Sequence, residues 1–178
     1  MTRGRGIYMV PLDRWYIERT VWLIAGCFLV AGTALAAWVN PWFVLLVNVT
    51  GLASILVSLT GFCVVGNILL RLGFQPRLAD QARGGGRWYF MQTDRWYLER
   101  RIYLAVGINI NLASALSLVH SPWWLAFTGF VGLAMWWFAA TGFCIMANGL
   151  YWSGAEPRLG AERHALRARL AAQSVRAA

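Results

Sequence analysis

The chain has 178 residues, of which 59% are apolar and 13% charged; its 16 basic residues, all arginine, outweigh 7 acids for a net charge of +9. That apolar fraction excludes a disordered chain, which is poor in apolar residues, and a water-soluble globule of this size has too little interior to hide it. A nucleic-acid-binding module is the usual reading of a pI near 10.5, but it would carry its charge on a folded soluble face; here charge and apolar residues occupy separate stretches, which points to a membrane protein.

In chain order, a first repeat over 1–78 opens with Arg3 and Arg5 and then Asp13-Arg14-Trp15-Tyr16-x-Glu18-Arg19. Asp13 is placed to cap a helix, Arg14 and Glu18 are spaced i,i+4, and Trp15 and Tyr16 suit the headgroup layer. From Thr20 to Leu70 there is no Asp, Glu, Lys or Arg, too long a run for one crossing of ~20 residues. Asn40-Pro41-Trp42 interrupts it with a helix-start signal, so spans are predicted over about 20–39 and 42–70. Ala34-Leu35-Ala36 imitates a signal-peptide cleavage site, yet cleavage there would destroy the first pair of helices.

A soft linker, 79–88, carries Gly84-Gly85-Gly86. The second repeat, 89–159, opens with Asp94-Arg95-Trp96-Tyr97-x-Glu99-Arg100, and Ile102 to Ala155 is again free of charge. Ser121-Pro122-Trp123 divides it into spans predicted over about 102–119 and 123–151. A basic tail, 160–178, follows; Leu159, Leu166 and Leu170 share a helical face, leaving a short surface helix and a frayed tail as equal alternatives.

Every arginine lies in the two ends or the middle segment, and none in either turn. The positive-inside rule therefore places both termini in the cytoplasm, with anionic lipid headgroups as partners of the arginines and no role for nucleic acid. Sliding the sequence by 81 residues aligns it with itself: Asp13-Arg14-Trp15-Tyr16 on Asp94-Arg95-Trp96-Tyr97, Pro41-Trp42 on Pro122-Trp123, Thr60-Gly61-Phe62-Cys63 on Thr141-Gly142-Phe143-Cys144, Pro76-Arg77-Leu78 on Pro157-Arg158-Leu159. Each unit crosses the membrane an even number of times, so the repeats are parallel. The expected fold is an all-α membrane protein with four transmembrane helices in two parallel-repeat hairpins.

Three groups of repeated residues are candidates for a role. Thr60, Cys63 and Asn67, like Thr141, Cys144 and Asn148, fall on one face if the second helix of each unit is continuous. Cys63 then lies roughly 33 Å from the turn, at the membrane boundary. Either the thiols are small buried hydrophobes beside hydrogen-bonding Thr and Asn, or they form a matched pair for persulfide or disulfide exchange. The second group, Asp13, Arg14, Trp15, Tyr16, Glu18 and Arg19 with Asp94, Arg95, Trp96, Tyr97, Glu99 and Arg100, is an interfacial anchor or a docking surface for a partner. The third comprises the glycine pairs Gly26 and Gly107, Gly51 and Gly132, Gly61 and Gly142, which permit close helix approach. Cys27 has no cysteine counterpart, Ile108 taking its place in the second repeat, and reads as packing; Asn48, Asn109 and Asn111 read as interhelical glue. No metal-ligand spacing, catalytic pair or phosphate loop is present, and no cofactor is implied.

Glu-Arg followed by Gly in one helix, and Gly-Phe-Cys near the end of the next, resembles the YgaP-like inner-membrane domain, over roughly Arg14–Leu72 and Arg95–Tyr151. Where that family often has Pro after the cysteine, this chain has Val64 and Ile145, and it holds no rhodanese module, so no sulfurtransferase activity carries over. The resemblance implies a bacterial inner-membrane location, dimer-like packing and a connection to sulfur or thiocyanate handling, with Cys63 and Cys144 at the family's cysteine position. The expected function is a non-catalytic structural or accessory subunit docking another membrane or cytoplasmic protein at its cytoplasmic face, with homo-oligomers also allowed. The alternative is a conduit or thiol relay for small sulfur species.

Overall fold

The computed structural model describes residues 6–160, and among them no strand forms beyond isolated bridges. Four helices are long and apolar enough to cross a membrane: Ile17–Trp38, Pro41–Thr60, Leu98–Val119 and Trp124–Thr141. This supports a multi-pass membrane protein. We label the helices α1 (Ile17–Trp38), α2 (Val44–Thr60, entered through a 3₁₀ turn at Pro41–Phe43), α3 (Val64–Arg71), α4 (Gln81–Gly84), α5 (Leu98–Val119), α6 (Trp124–Thr141) and α7 (Ile145–Trp152). Both turn signals divide the apolar runs, but only Asn40 serves as an N-cap, that of the 3₁₀ turn; Ser121 lies ahead of α6, whose N-cap is Trp123 without a side-chain bond. Asn40 Oδ1 accepts from Trp42 N at 2.9 Å, and Ser121 Oγ from Trp123 N at 3.4 Å.

The expected boundaries change at both ends of the spans. α1 and α5 begin at Ile17 and Leu98, taking Glu18 and Glu99 into their first turns, where a carboxyl suits the positive end of the helix dipole. Asp13 and Asp94 do not cap them; the N-cap positions are Tyr16 and Tyr97, without a side-chain cap bond. The long spans to residues 70 and 151 also do not form. Gly61 at φ 78 and Gly142 at φ 74 end α2 and α6 in the left-handed conformation, the usual glycine stop, and the chain restarts as α3 and α7. The linker is not wholly irregular: Asp80 Oδ1 accepts from Ala82 N and Arg83 N at 3.1 and 3.2 Å and starts the single turn of α4. The tail beyond Gly160, with Leu166 and Leu170, lies outside the described residues, as do Arg3 and Arg5.

α1 packs chiefly on α6, and α2 chiefly on α5. Glycine pairs make both seams. A methyl group on Gly26 would stand 2.8 Å from the Gly132 carbonyl oxygen, and one on Gly107 2.6 Å from that of Gly51, so backbones meet where small residues allow it. Each seam also carries a polar clasp. Thr33 Oγ1 and Thr128 Oγ1 lie 2.8 Å apart between α1 and α6, and Ser114 Oγ donates to Asn48 Oδ1 at 2.6 Å between α5 and α2. Trp22 stacks on Phe138 with ring centroids 4.4 Å apart and lies beside Tyr103, joining α1, α6 and α5 at the arginine-rich end.

Gly107→Ala places its methyl group against backbone that cannot swing aside, and is expected to destabilise the bundle by about 1–3 kcal/mol. Gly149→Ala, where nothing lies within 4 Å, is expected to leave stability unchanged; unfolding midpoints of the two variants in mild detergent check the difference.

Candidate functional site at the arginine-rich end

Two extended arms precede the long first helices, and each is held by the opposite half of the chain. In the first, Tyr8 N donates to Asn148 Oδ1 at 2.7 Å while Asn148 Nδ2 donates to Tyr8 O at 3.0 Å. Val10 N donates to Gly142 O at 3.0 Å, and the Tyr8 hydroxyl donates to Glu99 Oε1 at 2.7 Å. The second arm repeats the pattern. Asn67 brackets Tyr89 through Oδ1 at 2.8 Å and Nδ2 at 3.0 Å, Met91 N reaches Gly61 O at 2.7 Å, and the Tyr89 hydroxyl donates to Glu18 Oε1 at 3.1 Å. An amide that donates and accepts toward one residue copies a β-ladder contact with a side chain. Burial, with the nearby carboxyl groups, pushes the Tyr8 and Tyr89 hydroxyls far above the ordinary tyrosine range, so both stay protonated as donors.

The two glutamates anchor the loops that follow α3 and α7 as well. Glu18 accepts from Leu78 N at 2.6 Å and Arg77 N at 3.1 Å; Glu99 accepts from Leu159 N at 2.7 Å and Arg158 N at 3.0 Å. Both are fully buried, which is tolerable because peptide N–H and tyrosine O–H groups replace water. Arg158 grips Asp94 with both terminal nitrogens, at 2.6 and 2.7 Å, and Arg77 pairs with Asp13; the guanidinium groups lie 4.7 Å over the Tyr97 and Tyr16 rings. Arg19 Nε donates to Ala139 O, and Arg100 Nε to Ser58 O, both at 2.7 Å. Each arginine thus caps the second long helix of the other half, where a cation suits the negative end of the dipole. Trp15 and Trp96 cover these arginines at 4.0 and 3.9 Å.

The candidate residues therefore divide differently from the expectation. Tyr16, Tyr97, Glu18, Glu99, Arg19 and Arg100 are buried, so they build the end of the bundle and cannot meet a partner. The i,i+4 pairs of Arg14 with Glu18 and Arg95 with Glu99 do not form, because both carboxyl groups point inward to peptide N–H groups. Exposed positions are Asp13, Arg14, Trp15, Asp94, Arg95 and Trp96. Gly26, Gly51, Gly107 and Gly132 serve helix packing, whereas Gly61 and Gly142 serve the helix break. A methyl group on Gly61 would lie 2.3 Å from Met91 O, so the break also makes room for the arm.

Thr60, Cys63 and Asn67 do not share a helix face, nor do Thr141, Cys144 and Asn148, because the break separates each threonine from the rest. Thr60 Oγ1 donates to Leu56 O at 2.8 Å and accepts from Phe62 N at 3.1 Å; Thr141 does the same with Trp137 O and Phe143 N, at 2.7 and 3.2 Å. Cys63 is the N-cap of α3, its sulfur accepting from Gly66 N at 3.2 Å. It is 6% exposed, and burial pushes its thiol up, which lowers the thiolate fraction needed for nucleophilic exchange. Cys144 holds the same position on α7, half-buried, and all three cysteines are free. Cys27 is exposed on α1 and is not a packing residue. Among the described residues, no three His, Cys, Asp or Glu side chains are grouped to hold a metal ion.

Tyr8 and Tyr89, the residues that complete the glutamate sites, stand outside the patterns read from the sequence, although their 81-residue offset would have marked them. Comparison with protein-family models, curated proteins and solved structures finds no significant match.

Asn148→Ala removes the bracket around Tyr8 and is expected to lower stability by about 1–3 kcal/mol, with loss of amide-exchange protection at Tyr8 and Val10 and faster chymotryptic cleavage after Tyr8. The Arg158 guanidinium holds the Asp94 carboxyl down at about 2, below the ~3.9 of an unfolded aspartate. A depressed carboxyl pKa stabilises the fold above the unfolded value and loses that effect as pH falls through the folded one, so a carboxyl-carbon NMR titration is expected to find Asp94 still ionised at about pH 3.

Proposed function

We propose that the chain is a multi-pass protein of the bacterial inner membrane, built from two parallel hairpin repeats with both termini in the cytoplasm. It has no catalytic activity of its own and acts as an accessory subunit, presenting its arm-bearing end to another membrane or cytoplasmic protein. One observation carries this reading. The polar groups able to do chemistry at that end (Glu18, Glu99, Asn67 and Asn148 among them) are engaged in internal bonds, while Ile7, Met9, Leu12 and Trp15 on one side, and Trp88 and Trp96 on the other, stay exposed. Exposed aromatic residues set among arginines are what protein interfaces favour. The one-sided arginines support the orientation, and the resemblance to the YgaP-like domain supports the membrane. A thiol relay is the weaker reading, because the Cys63 thiol is buried and raised.

A photo-crosslinking amino acid at Trp15 or Trp96 in living cells is expected to trap one discrete protein, with a probe at Trp42 in the opposite turn as the control. Adducts to lipid alone at Trp15 and Trp96 would sink the docking role. A C-terminal tag is expected to be cleaved by protease in inside-out vesicles and protected in right-side-out ones; the reverse pattern would overturn the orientation.

A further inference from the structure

We infer that two copies of this chain associate side by side through the outward face of α5, joined at Asn109. The inference rests on the reading of α5 as a membrane-spanning helix. Asn109 lies near the middle of Leu98–Val119, about 15 Å from either end at 1.5 Å per residue, and so at the centre of a ~30 Å hydrocarbon layer. Its side chain is exposed. Nδ2 donates to Ala105 O at 2.8 Å within the helix, which uses one N–H of the two, and no group among the described residues donates to Oδ1. A polar group left without a partner in hydrocarbon is costly.

The other two mid-span asparagines are accommodated inside the bundle: Asn48 accepts from Ser114, and Asn111 donates to Gly107 O against Gly51. Asn109 alone of the three faces outward. Its counterpart 81 residues earlier is Phe28, which is exposed at 44%. The bundle therefore accepts an apolar side chain at this place, and the polar one is not needed to fold it.

The surroundings suit a second helix. Ala105, Asn109, Leu112, Leu116 and Val119 are spaced by four, three, four and three residues, the seam of a left-handed helix pair, and none of them is among the fully buried residues of α5. Ala105 is small enough for close approach at the asparagine's own turn. The amide also selects the occupant. It is donor and acceptor at once, and copies inserted in one orientation carry it at one depth. A two-fold axis along the membrane normal therefore sets Asn109 against the same residue of the second copy, each donating to the other in an isologous contact. A single asparagine in such a seam fixes register and pairing.

The test uses the full chain in lipid nanodiscs and in native membranes. Native mass spectrometry is expected to find dimers. Asn109→Phe, the residue of the first repeat, is expected to weaken them at least tenfold with the unfolding midpoint unchanged, and Asn109→Gln to retain them. With Cys27, Cys63 and Cys144 replaced by serine, Leu112→Cys is expected to form an intermolecular disulfide under mild oxidation, and Leu52→Cys on α2 is not. Dimers that survive Asn109→Phe, a monomeric wild type, or a Leu112→Cys crosslink to a different protein would each overturn the proposal. Release of the chain from membranes by alkaline carbonate would instead refute the membrane reading beneath it; a carbonate-resistant monomer refutes the dimer alone.

Discussion

A carboxyl group buried at the end of an apolar bundle must find donors in place of water, and the surroundings of Glu18 and Glu99 are arranged to supply them. Each draws on two sources: the peptide N–H groups of a Pro-Arg-Leu loop in its own half, and the hydroxyl of a tyrosine from the arm of the other half. The first ties the end of α3 or α7 back to the start of α1 or α5. The second ties the halves together. Removal of either donor would leave a buried acceptor short of a partner, and this dependence makes the end of the molecule one cooperative unit.

The exchange continues into the helices. Arg19 caps α6 and Arg100 caps α2, Gly26 meets Gly132, and Gly107 meets Gly51. Each long helix that begins a half thus finds its main partner in the second long helix of the other. The Gly-Phe-Cys break belongs to the same scheme: the left-handed glycine exposes a carbonyl group at the end of α2 or α6, and the incoming arm donates to it. The repeated Thr-Gly-Phe-Cys-x-x-x-Asn motif is in this light a socket for an arm, with its cysteine as the cap of the next short helix.

The halves also differ, at places that need not match. Gln92 N donates to Leu78 O at 2.8 Å, whereas its counterpart Pro11 has no N–H to give. The clasp toward the turns is a pair of threonines in one seam and serine with asparagine in the other. Bonds to the glutamates, the helix-end carbonyls and the arms are kept on both sides, because the packing of each half requires them. Outward-facing positions such as Phe28 and Asn109 are under no such demand and are where a new contact can arise.

The sequence by itself determined the four apolar spans, the turns at Asn40-Pro41 and Ser121-Pro122, the 81-residue repeat and the placing of every arginine away from the turns, because these depend on local composition and spacing. It also marked the residues that matter, Glu18, Arg19, Asn67 and their counterparts, through their repetition. It did not assign them: a Glu four places after an Arg looks like a surface pair, and Thr-Gly-Phe-Cys-x-x-x-Asn looks like a continuous helical face. Only the tertiary structure decided that the glutamates turn inward, that the helix stops at Gly61 and Gly142, and that the halves exchange arms. The physical reason is that hydrophobic periodicity is the same whether a helix packs on its own half or the other, whereas burial of a carboxyl group or a helix end can be settled only by donors brought from distant parts of the chain.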